Sequence, residues 1–144
     1  MKRIIYIIIG LTLIMTGCNK EDSDNGNLEG FWQMTEMRNK PNASMSDMRS
    51  SCITWAFQGH ILELRDVKKN NQDIIMSFSH EGGKLKVFAP YIVDRDSNDI
   101  PIDDVSLLTP YGISKTATEY SVLELSSSRM VLDNDVWYLV FRKY

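Results

Sequence analysis

The sequence is poor in cysteine, histidine and proline, with only Cys18 and Cys52, two histidines and four prolines. Its longest apolar run, residues 4–15, falls well short of the ~20 residues a membrane-spanning helix needs. No G-x-S-x-G, H-E-x-x-H or C-x-x-C motif occurs, and no phosphate-cradling G-x-x-x-x-G-K. Adjacent acids such as Asp103 and Asp104 would point to opposite faces of a strand and so could not flank one bond. These absences speak against an enzyme and leave no cofactor motif. Basic residues do not cluster either, since Lys68-Lys69 is only a pair in a turn. With 19 acidic against 16 basic side chains, nucleic acid is not an expected partner.

What is present first is a change of composition at the N-terminus. Lys2 and Arg3 precede the apolar run, and Met15-Thr16-Gly17-Cys18 follows it. A basic start, a short apolar stretch and small residues before a cysteine make a secretory signal. The last four residues resemble the lipobox of bacterial lipoproteins, which implies that the Cys18 thiol receives diacylglycerol after cleavage. Residues 19–27, Asn-Lys-Glu-Asp-Ser-Asp-Asn-Gly-Asn, hold nothing apolar to bury and read as a flexible tether. Acidic residues directly behind the cysteine resemble the surface-export signal of Bacteroidota-type lipoproteins. The expected location is therefore the outer membrane, on either face, with the membrane contacted through the lipid on Cys18.

Loss of residues 1–17 removes two bases and leaves 127 residues with a net charge of −5, enough for one domain with one core. With Cys18 acylated, Cys52 has no partner for an intramolecular disulfide, and it reads as a small buried filler. The remaining chain alternates with a period of two, the mark of half-buried strands. Strand-like runs are Gly30 to Met37, Ile53 to Phe57, His60 to Asp66, Ile74 to Phe78, a return strand opening with Leu85 and Val87, Glu119 to Leu125, Met130 to Leu132 and Val136 to Arg142. Glu81-Gly82-Gly83-Lys84 signals a tight hairpin, because glycine accepts the positive φ such turns demand. Residues 40–51 read as a loop or helical turn, and residues 94–104 as a long acidic loop. No stretch of helical period competes, so the chain is expected to be all-β: an antiparallel up-and-down meander closed into a barrel, since closure removes exposed edges. It follows a signal helix and the tether. The expected division is 1–17 signal, 18–27 tether and 28–144 barrel.

Gly30-Phe31-Trp32 resembles the Gly-x-Trp signature of lipocalins and related calycins. The last strand, Val136-Trp137-Tyr138-Leu139-Val140-Phe141-Arg142-Lys143, is similar to the closing strand of lipocalin-like lipoproteins. The runs Glu119 to Leu125 and Ser128 to Leu132 are similar to their penultimate hairpin. The resemblance spans residues 28–144, with its motifs at the two ends. It implies a lipocalin-like barrel in which Gly30 and Trp32 form the floor and a basic residue near the C-terminus, here Arg142, stacks across the indole. A guanidinium over an indole face contributes ~0.5–2 kcal/mol. The alternative is a Trp32 that is simply core and an Arg142 that is a solvated end. The middle of the chain carries no motif of the transport lipocalins, whose disulfides are also missing, and many domains of this kind have no assigned function.

Two constellations have metal-binding potential. A hairpin centred on residue 70 would pair Leu64 with Met76, Leu62 with Phe78, and His60 with His80. Directly opposed imidazoles, with Cβ atoms ~4.5–5.5 Å apart, could share a metal; otherwise they are unrelated polar residues at a strand end. Asp94, Asp96 and Asn98 have the D-x-D-x-N spacing that brings alternate oxygens onto calcium, with Asp103 and Asp104 nearby. The loop lacks the glycine and final glutamate of an EF-hand, and a solvated acidic loop is the other reading.

The function expected is a non-enzymatic, lipid-anchored envelope module holding a small apolar or glycan ligand in or at the mouth of the barrel. The alternative is an envelope interaction or structural accessory with a packed core, using the loop of residues 94–111. An internal cavity above ~300 Å³ favours the first. A packed interior with an exposed aromatic patch near Tyr91 or Tyr111 favours the second.

Overall fold

The computed structural model describes residues 25–144; the signal segment, Cys18 and the tether up to residue 24 lie outside the described residues. The strands are β1 (Gly30–Asn39), β2 (Ser44–Asp47), β3 (Ile53–Gln58), β4 (Ile61–Asp66), β5 (Ile74–Glu81), β6 (Lys84–Ile92), β7 (Ile100–Pro101), β8 (Ala117–Leu125), β9 (Arg129–Asp133) and β10 (Trp137–Lys143). Eight of them form a closed antiparallel ring in the order β10-β9-β8-β6-β5-β4-β3-β1, with β1 returning to β10. The expected barrel is therefore present. Two strands were not foreseen: β2 pairs with the far half of β1, and β7 with the last residues of β6.

Closure needs bending, and β-bulges supply it by placing two residues opposite one. The β1–β10 register shifts between Met34 and Glu36, the β5–β6 register between Ile75 and Ser77, and the β8–β9 register between Val122 and Glu124. Each shift reverses which residues look inward. Trp32 and Met34 are buried before the first bulge, and Met37 packs against the core after it. In β6, Leu85 and Val87 are buried, then Ala89 takes a φ of +51°, and Pro90 and Ile92 turn inward beyond it. A proline is tolerated there because a bulge has already interrupted the ladder. At the β5–β6 turn Gly82 and Gly83 have φ of +59° and +72°, as a two-residue hairpin demands.

Inside, Trp55 sits against Phe57, Tyr120 and Phe141, with ring centroids 6.2, 6.0 and 5.0 Å away. Met34, Leu62, Leu64, Ile74, Met76, Met130 and Leu139 complete a filled interior, all without solvent exposure. An eight-stranded ring is just wide enough for side chains to fill it. One end is closed by Leu28, from the short 3-10 turn Gly26–Leu28; the Leu28 carbonyl accepts from Trp32 Nε1 at 2.9 Å. The other end is plugged by residues 102–113, which contain the short 3-10 turns Val105–Leu107 and Thr109–Tyr111. Ile102, Leu108, Tyr111 and Ile113 are buried in this plug. Tyr111 donates its hydroxyl to the Gln72 carbonyl and Tyr120 to the Gly112 carbonyl, each at 2.6 Å.

The plug generates two predictions. Gly112 has a φ of +76°, and a Cβ there would lie 2.6 Å from Leu139 Cδ2. Gly112→Ala should thus destabilise the domain by more than ~1 kcal/mol in urea unfolding, and an unchanged midpoint would contradict the close packing. Burial raises the Tyr120 phenol, and burial followed by the negative charges of Asp73 and Asp66 raises that of Tyr111, both well above the ordinary 10.0. The fold favours the protonated forms, so their contribution is complete below pH 10 and is lost as the pH climbs and the unfolded chain ionises. Tyr120→Phe should flatten the alkaline fall in stability; a fall as steep as that of the parent would contradict the assignment.

Candidate functional site

At the closed floor, Trp32 lies opposite Lys143, and Gln33 opposite Arg142. Alternation therefore puts Lys143 on the indole side and Arg142 on the outer side, which corrects the expected stack. Lys143 Nζ is 5.1 Å from the centroid of the Trp32 ring and donates to the Asn27 carbonyl at 2.8 Å. Arg142 instead donates through Nε to Gln33 Oε1 at 2.8 Å. Gly30 has a structural role here: its φ is +117°, and a Cβ on it would meet Lys143 Cε at 3.0 Å. The missing side chain lets the lysine stem cross the floor.

The expected histidine pair does not form. Leu62 lies opposite Met76 and Leu64 opposite Ile74, a register displaced by two residues. His60 lies in the turn before β4, its carbonyl accepting from Phe78 N–H at 3.2 Å, and His80 faces Leu85 of β6. The cause is Asp66. Its buried carboxylate accepts from the N–H groups of Lys68, Asn70 and Asn71 and from Asn71 Nδ2, at 2.9 to 3.0 Å. That wrapping makes the loop asymmetric and sets the register.

The acidic loop is likewise satisfied from within. The Asp94 carboxylate accepts the hydroxyl of Ser97 at 2.5 Å and the N–H of Asp96 at 2.9 Å, and these bonds hold it below the usual carboxylate range. Asp96 and Asn98 are exposed beside it. Among the described residues, no three His, Cys, Asp or Glu side chains are grouped to hold a metal ion. Cys52 is a free, partly exposed thiol with a φ of +59° in a turn, which corrects its reading as a buried filler. Tyr111, one of the two positions where an exposed aromatic patch would have favoured the accessory reading, is buried.

The concave surface lies outside the barrel. Register places Phe31, Ala56, Glu63, Ile75 and Tyr91 in one row across β1, β3, β4, β5 and β6. At ~4.8 Å per strand the row is roughly 20 Å long. Ala56, the smallest member, forms a dip between Phe31 and Glu63. A cavity of about 880 Å³ opens over it, bounded by Glu29, Phe31, Ile61, Ile75 and Val93. It shares Phe31, Ala56 and Glu63 with a smaller one of about 130 Å³ that reaches Thr54, Arg65 and Tyr144. It shares Glu63, Ile75 and Val93 with another of about 410 Å³ that reaches Lys69, Gln72 and Arg95. Together they make one trench. Phe31 is 54 %, Ile61 41 %, Val93 45 % and Tyr144 74 % exposed. Thr54 lines it with a buried hydroxyl that has no hydrogen-bond partner among the described residues, and Glu63 pairs with Arg65 at 2.7 Å.

Reading each strand for its inward phase hid this surface. Its signal was the apolar residue at the outward phase: Phe31 before Trp32, Ala56 between Trp55 and Phe57, Ile61 before Leu62, Ile75 between Ile74 and Met76.

Comparisons with known proteins agree with the barrel. The family model of the lipocalin-like domain matches residues 13–144. A crystal structure of a lipocalin-like protein from Bacteroides uniformis superposes with a TM-score of 0.62 at 18 % identity, covering 83 % of this chain and 100 % of that one. An uncharacterized protein from Bacteroides eggerthii gives 0.57 at 17 % identity, covering 81 % and 99 %. No curated protein matches the chain.

The floor geometry is testable with double-mutant cycles. Lys143→Met with Trp32→Phe should show a coupling of ~0.5–2 kcal/mol in unfolding free energy. Arg142→Met with Trp32→Phe should be additive within ~0.5 kcal/mol. The reverse pattern would restore Arg142 to the floor.

Proposed function

We propose, from the premise that this chain belongs to the family of lipocalin-like domains, that it is a non-enzymatic binding module of the cell envelope, held to the outer membrane by lipid on Cys18. The fold itself is that of a binding module. The observation that carries the finer reading is the contrast between a filled interior and the trench outside it. Trp55, Phe57, Tyr120 and Phe141 occupy the volume a ligand would need, and the plug closes the mouth above them. Ligand binding therefore moves to the outer surface over Ala56, where exposed apolar side chains border a cavity of suitable size for a small molecule.

Supporting the anchor are the lipobox-like Met15-Thr16-Gly17-Cys18 and the acidic residues behind it. The trench also begins at Glu29, where the tether enters the barrel. A tethered binder gains effective concentration for ligands at the same membrane. The packed core also suits the accessory reading, with this same trench as the contact surface instead of the loop of residues 94–111.

Metabolic labelling with palmitate in the native host should mark the wild type, while Cys18→Ser should be unlabelled and leave the membrane fraction. An unlabelled wild type would contradict the anchor. For the site, amide chemical shifts of the mature domain titrated with hexanol should move at Phe31, Ala56, Ile61 and Ile75. Shifts confined to Trp55, Met76 and Leu139 would put binding inside the barrel.

A further inference from the structure

The chain enters the barrel at the floor. Asn25 Nδ2 donates to the Gly59 carbonyl and to Glu29 Oε2, each at 2.7 Å, and Lys143 Nζ donates to the Asn27 carbonyl at 2.8 Å. Residues 25–28 are thereby tied to the floor. The turns β3–β4, β5–β6 and β8–β9 lie at this same end, because β1, β4, β6 and β9 start here and β3, β5, β8 and β10 finish here.

The rim of this end carries exposed apolar side chains. They are Phe31 near the start of β1, Ile61 at the start of β4, Leu123 near the end of β8 and Tyr144 just beyond β10. Phe31, Leu123 and Tyr144 are each more than half exposed. The Tyr144 N–H donates to the Phe31 carbonyl at 3.1 Å, which sets these two aromatics next to each other. They are the aromatic members of the exposed large apolar set among the described residues. Exposed aromatic rings at one end of a domain suit a membrane–water interface, where an amphipathic ring sits at headgroup level.

Charge and reach both select this end over the other. The rim balances Lys84, Arg129, Arg142 and Lys143 against Glu29, Glu81 and Glu124, and so is close to neutral. All ten aspartates between residues 25 and 144 lie in the half of the barrel next to the plug, where they outnumber the bases. Val105 and Leu107 are exposed there too, but among those carboxylates, which lipid phosphates repel. The seven peptide units from Cys18 to Asn25 span at most ~25 Å. The ten-residue strand β1, tilted by ~40°, makes a wall that is roughly 25 Å tall. The plug would therefore touch the bilayer only with that whole segment stretched along the wall.

We propose that the floor is a membrane-contact face: Phe31, Ile61, Leu123 and Tyr144 seat in the headgroup layer of the bilayer that holds the anchor, and the plug points away from it. This rests on the lipid-anchor reading above and adds how the domain sits. The contact is held by covering apolar surface rather than by charge, so salt leaves it in place. The row Phe31, Ala56, Glu63, Ile75 and Tyr91 climbs from floor to plug, so its Phe31 end alone meets the lipid.

The test couples the mature Cys52→Ser domain through the Cys18 thiol to a maleimide lipid in phosphatidylcholine nanodiscs that also hold a gadolinium-chelate lipid. Paramagnetic broadening of amide signals should be at least threefold greater at Gly59, Gly82 and Ser127 than at Arg95, Val105 and Asn134, in low and high salt alike. Phe31→Ser with Tyr144→Ser should at least halve that ratio; both side chains are exposed, and circular dichroism checks that the barrel is retained. Equal broadening at the two ends, greater broadening at the plug, loss of the bias in high salt, or a double variant that keeps it would overturn the proposal. A dimer in sedimentation that the same two substitutions dissolve would give this face to a second copy and overturn it as well. Coupling supplies the anchor chemically, so these outcomes judge the floor contact alone, while palmitate labelling judges Cys18.

Discussion

The closing ladder between β1 and β10 is the constraint on which the rest depends. From Trp32 opposite Lys143 to Asn39 opposite Trp137, it turns an open meander into a ring with a fixed circumference. Once closed, the ring of eight strands has an interior of set width, and inward-facing residues must fill it or leave a void. Void space in a core is costly, at ~24 cal/mol per Å³ in large-to-small substitutions. Here three tryptophans, two tyrosines, three phenylalanines and a set of methionines and leucines fill it. The ladder also brings the C-terminal lysine onto the floor tryptophan, and its bulge at Thr35 passes the inward phase from Met34 to Met37.

A filled interior changes what the same architecture can do. In the function proposed above the binding surface lies on the outer side of the sheet, where each apolar residue is in contact with water and gains by being covered. The trench arises because four neighbouring strands each carry an apolar residue at the outward phase (Phe31, Ala56, Ile61 and Ile75), and because one of these is only alanine. The trench follows from side-chain size and register alone. It needs no moving part, in contrast to a ligand entering past the plug tied by Tyr111 and Tyr120.

Alternation made the ring strands legible from sequence, because burial of one face imposes period two over five or more residues. The glycine pair at the β5–β6 turn was legible for a separate reason, the φ it permits. Side-chain to backbone bonding was not legible. Asp66 binds four N–H donors within the next five residues, and no periodicity announces that, so the hairpin register was misplaced by two residues and the histidine pair with it. The same holds for β2 and β7, which are four and two residues long and pair only where a neighbour has left the ladder. Arg142 was named through the resemblance, although Lys143 shares the inward phase of Trp137, Leu139 and Phe141 along β10. The outer trench escaped because inward residues were sought on each strand separately, whereas its members become neighbours only across strands.

The central claim is that the ring is closed and full, so that binding takes place on its outside. Crystals of the mature domain pressurised with xenon test this most directly, since an empty apolar cavity stays dry and takes up the gas. The account predicts no xenon among Trp55, Met76 and Tyr120. Ordered xenon at that position would reveal a hollow barrel and contradict it.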